Sequence, residues 1–209
     1  MGRLRSGFFA VSLVLLGICS GPVFALNSAS RGPKGGPIQL VQATQVGQAM
    51  FAAGDTDQGG TGQTIDGIQG SSSEMFGTHI HAHLSLFYQG QQIAIPYGIG
   101  IVKPFYAQSG FVGAGRGFYW IHTHDASGII HIESPDKRKY TLGNFFDIWG
   151  EPLNMGDVAG LTGELRAYVD GAPYFGDPRN IVLARHAQIT LEVGKPFVVP
   201  PVYIFPKGM

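Results

Sequence analysis

The chain has 209 residues with equal numbers of basic and acidic side chains, and only 13% of its residues are charged, about half the proportion usual in globular proteins. This balance excludes the basic surface on which nucleic-acid-binding proteins depend, so we expect no nucleic acid among its partners. The 32 glycines and 13 prolines, with an apolar fraction of 44%, predict one modest domain of short strands and many turns.

Residues 1–25 have the pattern of a secretory signal. Arg3 and Arg5 precede an apolar run over residues 8–18, and we expect cleavage after Ala25. The apolar run is shorter than the roughly 20 residues that a membrane-spanning helix needs. The sequence therefore predicts an exported protein, periplasmic or secreted, with no integral membrane segment after cleavage.

Cys19 is the only cysteine and lies inside this predicted signal. The run Leu16-Gly17-Ile18-Cys19 resembles a lipobox, so a lipoprotein is the alternative to a soluble product. Cleavage after Ala25 would leave 12 basic and 14 acidic residues, a net charge of −2, and no cysteine. Because no disulfide could then form, we expect the exported chain to rely on its core and on a bound metal ion.

Two further regions follow the signal. Residues 26–74 are rich in Gly, Ser, Thr, Gln and Pro, which predicts a flexible leader. Residues 75–209 are predicted to form a single β-rich, metal-binding domain. Its first strand alternates strictly over residues 79–88: apolar side chains occupy one face, and the other face is largely histidine.

The predicted elements of this domain are hairpins around one helix. Turn residues at Gln89-Gly90, at residues 125–128 and at Asp170-Gly171 predict three hairpins, and residues 188–193 predict a closing strand. Leu142, Phe145, Phe146 and Trp149 have helical spacing between a capping Thr141 and a terminating Gly150. The fold class is therefore α+β: a small, mainly antiparallel sheet, compatible with a β-grasp-like arrangement, with one short helix packed on one face.

Six of the seven histidines lie in two short segments, as His79, His81, His83, His122, His124 and His131. Residues two apart on a strand point the same way, about 6.6 Å apart, so neighbouring imidazoles can bind one ion. A row of neutral imidazoles gains little from packing alone, and protonating several together would be repulsive. The clustering therefore indicates a metal site.

The second hairpin allows a prediction of register. If its turn is centred between Ala126 and Ser127, His122 faces His131 across the two strands and His124 lies diagonally on the same face. An odd loop length would place His122 opposite an isoleucine instead. We therefore take His122, His124 and His131 as the primary ligands.

The remaining histidines and two carboxylates complete the predicted site. His81 and His83 are expected to complete the ligand set, with His79 as a further candidate. Asp125 and Glu133 are expected to orient the imidazoles from outside the ligand set. A turn-forming Asp and a solvated Glu are the alternative interpretations of these two residues.

The cofactor predicted is a divalent transition metal. With imidazole ligands and no thiolate, copper or zinc is favoured, whereas three histidines with Glu133 as a fourth ligand would suit iron or manganese. The sequence contains no G-x-S-x-G elbow, P-loop or dinucleotide fingerprint.

Four runs carry a family resemblance: HIHAHL at residues 79–84, YWIHTHD at 119–125, GIIHIES at 128–134 and YTLGNFFDIWG at 140–150. Over most of residues 64–195 the chain resembles a group of largely uncharacterised secreted bacterial and archaeal proteins. The resemblance implies the same domain without implying an activity. It also implies that relatives have cysteines near the positions of Gly70 and Gly117. Because this chain has glycine there, the resemblance does not imply thiol chemistry for it.

Three functions fit these observations. The first is an exported protein that uses a histidine cluster to bind copper or zinc for capture, delivery or structural purposes. The second is a metal-dependent enzyme, a hydrolase or oxygenase, whose ion keeps an open position while Glu133 or Asp125 serves as general base. The third is an envelope interaction module with no metal-dependent role.

Overall fold

The computed structural model describes residues 36–54 and 58–209. The predicted signal, its cleavage after Ala25 and the lipobox-like run at Cys19 lie outside the described residues, as does the first part of the predicted leader. No helix in the described part of the chain combines the length and apolar character needed to cross a membrane.

The described residues are mainly strands, arranged in several sheets, with one α-helix, α1 (Leu142–Trp149), and a short 3-10 helix (Pro178–Asn180). The strands, in chain order, are β1 (Ile38–Gln39), β2 (Gly70–Ser71), β3 (Thr78–Tyr88), β4 (Gln91–Ile93), β5 (Ile101–Val102), β6 (Ala107–Gln108), β7 (Phe111–Val112), β8 (Gly117–Tyr119), β9 (Ile121–His122), β10 (Ile129–Ser134), β11 (Leu153–Asn154), β12 (Asp157–Val158), β13 (Leu161–Thr162), β14 (Leu165–Val169), β15 (Ala172–Tyr174), β16 (Gln188–Val193) and β17 (Tyr203–Ile204).

The largest sheet has seven strands in the order β15-β14-β16-β3-β10-β9, with β4 paired to β3 beyond this path. Its pairings are antiparallel except between β16 and β3, which run parallel. The predicted β-rich, mainly antiparallel character is confirmed, but the sheet is larger than expected. It is larger because β16 joins the first two hairpins to the third, a long-range pairing that local turn chemistry does not indicate.

Two of the predicted turns form as the sequence indicates. Gln89 and Gly90 connect β3 to β4, and Asp170 and Gly171 connect β14 to β15. All four residues have positive φ, the conformation that matches the twist of a two-residue hairpin.

The helix begins and ends where its capping residues predict. The Thr141 side chain accepts a hydrogen bond from the Asn144 backbone N–H, and the Asn144 side-chain oxygen accepts one from the Thr141 backbone N–H, forming a capping box. Gly150 follows in the left-handed conformation at φ 80°. Phe146 and Trp149 belong to the same buried apolar cluster as the inward-facing side chains of β3, β10 and β16.

Both faces of β3 are covered in the structure. The apolar side chains at 82, 84 and 86 lie in the main core, as the alternation predicts. On the opposite face His83 is fully buried, because Tyr203 stacks its ring 4.0 Å from the imidazole, centroid to centroid. Leu40 and Ile129 pack with Tyr203 in a second small cluster on this side.

The described part of the predicted leader contributes two short strands and a few buried side chains to the fold. Its strand β1 pairs in parallel with β17, and β2 pairs with β8. Ile68 is fully buried in the main core and Leu40 is 1% exposed. Because this segment is mostly polar, its sequence does not indicate that these few apolar side chains are buried. Their burial depends on contacts with distant strands.

Truncation of Phe146 should destabilise the fold strongly. Its ring is fully buried among the rings of Phe145 and Trp149, so Phe146→Ala removes apolar contacts and leaves a cavity. We expect a loss of about 3–5 kcal/mol in the free energy of unfolding, measured by urea denaturation. Phe175→Ala is the matched control because Phe175 is 94% exposed, and it should change stability by less than about 0.5 kcal/mol. Similar losses for the two variants would contradict this placement of the core.

Candidate metal centre

Three neighbouring strands align three histidines in one row. His131 on β10 lies opposite His81 on β3 and opposite His122 on β9. Directly paired residues of antiparallel strands project from the same face, so the three imidazoles share a face of the sheet. The register predicted for His122 and His131 is thus confirmed, and the pairing with His81 adds a third strand to the site.

The loop after β9 brings a fourth imidazole to this row. His124 lies beyond the end of β9, and its ring centroid is 4.7 Å from that of His122 and 4.5 Å from that of His131. Phe111 stacks on the opposite side of the His124 ring at 4.8 Å. His124 is therefore held by packing and is 4% exposed.

Backbone carbonyls fix the orientation of His122 and His124. The Nδ1 of His122 lies 2.8 Å from the carbonyl oxygen of Tyr119, and the Nδ1 of His124 lies 2.6 Å from that of Val112. A carbonyl oxygen accepts hydrogen bonds and cannot donate one, so each Nδ1 carries a hydrogen. In the neutral ring, the free lone pair is then on Nε2. Hydrogen bonds of this kind commonly orient the imidazoles that bind metal ions.

The two Nε2 atoms face each other at 3.1 Å. In the neutral tautomers set by the carbonyls, neither Nε2 has a hydrogen to donate, so two lone pairs are directed at each other. A cation between them relieves this repulsion. Two nitrogens bound at about 2.0–2.1 Å to one tetrahedral ion lie about 3.3 Å apart, close to the observed separation.

Glu133 lies within the cluster. Its Oε1 is 3.3 Å from both the Nδ1 of His131 and the Nε2 of His79, and its Oε2 is 4.0 Å from the Nε2 of His122. The side chain is 3% exposed. The sequence analysis expected Glu133 outside the ligand set, with a fourth-ligand role as the alternative for iron or manganese, and its distances are those of a candidate ligand.

Glu74 is a site residue that sequence reasoning missed. Its Oε1 lies 3.5 Å from the Nε2 of His124, and about a third of its side chain is exposed. We assigned it to the flexible leader because of its Ser-rich surroundings. The only indication in the sequence was a single carboxylate five residues before His79.

Burial lowers the pKa values of three imidazoles in the cluster. Desolvation and the nearby His124 lower the pKa of His122 to about 3, while desolvation and neighbouring His79 lower that of His81 to about 4. The pKa of His131 is lowered well below its usual value by desolvation and then by His122 and His124. Neutral imidazoles are the form that binds metal, so protons compete weakly for these donors.

The donors form two overlapping sets of four residues, each with one ligand atom per residue and all four atoms within 4.8 Å of one another. Both sets contain His131 and Glu133. The first adds His122 and His124, and the second adds His79 and His81. The structure thus contains buried His and Glu groups that can hold a metal ion.

Two predicted site residues lie apart from these sets. The Nε2 of His83 is 2.9 Å from the carbonyl oxygen of Ser127, and the ring packs on Tyr203, so its surroundings are those of a structural histidine. The Asp125 carboxylate accepts hydrogen bonds from the backbone N–H groups of Ser127 and Ala43 and from the Ser127 hydroxyl. It organises the turn before β10 rather than orienting an imidazole.

His186, the one histidine outside the sequence clusters, is also separate from both sets. Its Nε2 lies 2.9 Å from the carbonyl oxygen of Met209, and its ring stacks on Phe205 at 4.6 Å. These contacts attach the chain end to the sheet.

No protein-family model, no curated protein and no solved structure matches this chain. The resemblance to secreted bacterial and archaeal proteins therefore stays a prediction, and the assignment of the site depends on its geometry.

The metal-free protein should lose stability as the pH falls from about 6.5 to about 4. His81, His83 and His122 have pKa values of about 4, 4 and 3 in the folded protein, so they stay neutral there while the unfolded chain takes up protons below about pH 6.5. Burial acts oppositely on carboxyl groups, raising the pKa of Glu133 to about 7 and the pKa values of Asp147, Glu151 and Glu192 above their usual values. The histidines dominate this balance, because the pKa of His131 is also lowered well below its usual value. Urea titrations of chelator-treated protein across this range measure the effect.

His83→Gln is the informative variant for this pH dependence. The Gln amide can keep the donor to the Ser127 carbonyl while removing the titrating ring. The variant should show a stability–pH slope shallower by about one proton between pH 6.5 and 4. An unchanged slope would show that His83 titrates normally in the folded state.

Proposed function

We propose that this protein is an exported metal-binding protein whose ion is zinc or copper(II), bound by His122, His124, His131 and Glu133. The observation that carries the proposal is the 3.1 Å separation of the His122 and His124 Nε2 atoms, each with its Nδ1 hydrogen directed at a backbone carbonyl. The predicted signal over residues 1–25 supports the exported location.

The donor set supports a transition metal. Imidazole nitrogen suits zinc, copper, nickel and iron, whereas calcium and magnesium prefer oxygen ligands. The absence of cysteine from the chain after Ala25 leaves nitrogen and carboxylate oxygen as the donors. Because Glu133 joins the imidazoles, iron and manganese are included in the test.

The burial of the donors supports retention of the ion. His122 is fully buried, and His124, His131 and Glu133 are each less than 9% exposed. Ligands held by strands and by carbonyl hydrogen bonds need little reorganisation to bind, which favours tight binding. A storage, capture or structural role fits this enclosed arrangement.

One feature favours a metal-dependent hydrolase or oxygenase as the second candidate. Glu74, at 3.5 Å from the His124 Nε2, is about a third exposed, so solvent reaches that side of the cluster. An ion with one solvent-accessible position can activate water or bind a substrate. If no ion binds, the remaining candidate is an interaction module with no metal-dependent role.

The double variant His122→Asn/His124→Asn tests the site. The Asn side-chain amide can donate to the same carbonyl as Nδ1 does, while the Nε2 lone pair is removed. Purified protein should contain stoichiometric metal by elemental analysis, covering zinc, copper, iron, manganese and nickel. The double variant should bind zinc at least about a hundredfold more weakly in chelator competition, because even outer-sphere partners change affinity by about 10- to 100-fold.

His186→Asn is the matched control for this experiment. It changes one histidine outside both ligand sets, at a positive φ of 59° that Asn tolerates, and it should keep full metal content. Full metal content in the double variant would overturn the proposed site.

Metal should also stabilise the folded protein. An ion that binds only the folded state raises its stability by RT ln(1 + [L]/Kd), about 2.7 kcal/mol at a free concentration of 100 Kd. We expect zinc to raise the thermal midpoint of the unaltered protein and of His186→Asn by more than that of His122→Asn/His124→Asn. Equal shifts in all three proteins would indicate binding elsewhere.

A further inference from the structure

We propose that the cluster binds two metal ions, with Glu133 as a carboxylate bridge between them. This inference rests on the proposed function, since it adds a second position to the first. The first ion lies at His122 and His124, and the second at His79 and His81. Glu133 Oε2 faces the first position, and Glu133 Oε1 faces the second.

The number of donors supports two positions. His79, His81, His122, His124 and His131 with Glu133 and Glu74 supply more donors than the four that a tetrahedral ion takes. These donors do not merge into one set. They form two sets that share only His131 and Glu133.

The Glu133 carboxylate is oriented between the two positions. Its Oε1 is 3.3 Å from the His79 Nε2, a separation that suits two donors of one ion, and its Oε2 is on the side of the His122 Nε2, at 4.0 Å. A carboxylate that binds one ion through each oxygen holds the ions at the roughly 3.5–4 Å typical of two-metal sites.

His131 belongs to both sets, but this does not prevent two ions from binding. The His131 ring centroid is 4.6 Å from that of His81 and 4.5 Å from that of His124, so it lies between the positions. Whichever ion His131 binds, each position keeps two other imidazoles and one carboxylate oxygen.

Two buried polar atoms in the cluster support the second position independently. Among the described residues, three buried side-chain atoms have no hydrogen-bond partner: His81 Nδ1 and Glu133 Oε2 in the cluster, and Glu192 Oε2 outside it. His81 is 4% exposed and Glu133 is 3% exposed. Buried polar atoms in native proteins are normally paired, and their lack of partners beside four imidazoles is explained by ions bound at both positions.

The two positions differ in exposure and charge. The His79 side chain is 44% exposed, whereas His122 is fully buried. Two divalent ions carry four positive charges, and Glu133 and Glu74 supply two negative ones, so hydroxide or another small anion completes the centre. The second ion is therefore expected to bind more weakly and to exchange faster.

Zinc titration by equilibrium dialysis followed by elemental analysis tests the inference. The unaltered protein and His186→Asn should saturate at two ions per chain in two steps. His79→Ala should saturate at one, and its half-exposed position makes loss of folding a minor risk. His122→Asn/His124→Asn should also saturate at one ion, bound at the second position. Circular dichroism checks the fold of each variant.

The outcomes separate the two proposals. Saturation of the unaltered protein at one ion overturns the two-ion centre. It leaves the proposed function standing if His122→Asn/His124→Asn loses that ion, and it overturns the proposed site if only His79→Ala loses it. Saturation at no ion overturns both.

Copper(II) provides a spectroscopic readout of the bridge. Two copper(II) ions about 4 Å apart couple magnetically, so the paramagnetic resonance spectrum should broaden or lose intensity between one and two equivalents. His79→Ala should give the narrow spectrum of a single ion. A narrow spectrum with the full intensity of two bound copper ions overturns a shared carboxylate.

Discussion

The pairing of β10 with both β3 and β9 is the constraint on which the candidate site depends. This strand has a neighbour on each side, and the two registers place His131 opposite His81 and His122 at once. A shift of one residue in either pairing would turn the partner histidine to the apolar face. The apolar alternation of β3 and β10 specifies the register, because Ala82, Ile130 and Ile132 must lie in the core. The core thus determines where the imidazoles meet.

The polar face of the same strands is enclosed by segments distant in the sequence. β17 places Tyr203 against His83, and residues before β3 bring Glu74 to His124. Burial removes water from His81, His83 and His122, which lowers their pKa values to about 4, 4 and 3. Enclosure therefore does more than protect the sheet, because it leaves His81 and His122 in the neutral form in which an imidazole can bind a metal ion.

Local signals in the sequence were sufficient for part of this structure. The capped helix at 142–149, the two-residue turns and the register of His122 with His131 all follow from residues close together in the chain. The β3–β10 and β16–β3 pairings and the burial of Leu40 and Ile68 do not, because they depend on contacts between distant segments. The same distinction explains the site. Hairpin geometry indicated three imidazoles, but only tertiary packing reveals that Glu133 and Glu74 join them while His83 lies apart.

The enclosed cluster also has an energetic consequence for folding. A fold that directs the His122 and His124 lone pairs at each other, and that buries a carboxylate oxygen and an imidazole nitrogen without hydrogen bonds, carries unfavourable terms. A bound cation converts each of these terms into a favourable one, since every such atom becomes a ligand. The unfolded chain cannot offer this arrangement, so the free energy of metal binding adds to the free energy of folding. Without a disulfide after Ala25, this linkage would supply the cross-link between β3, β9 and β10 that small exported domains otherwise obtain from cystine.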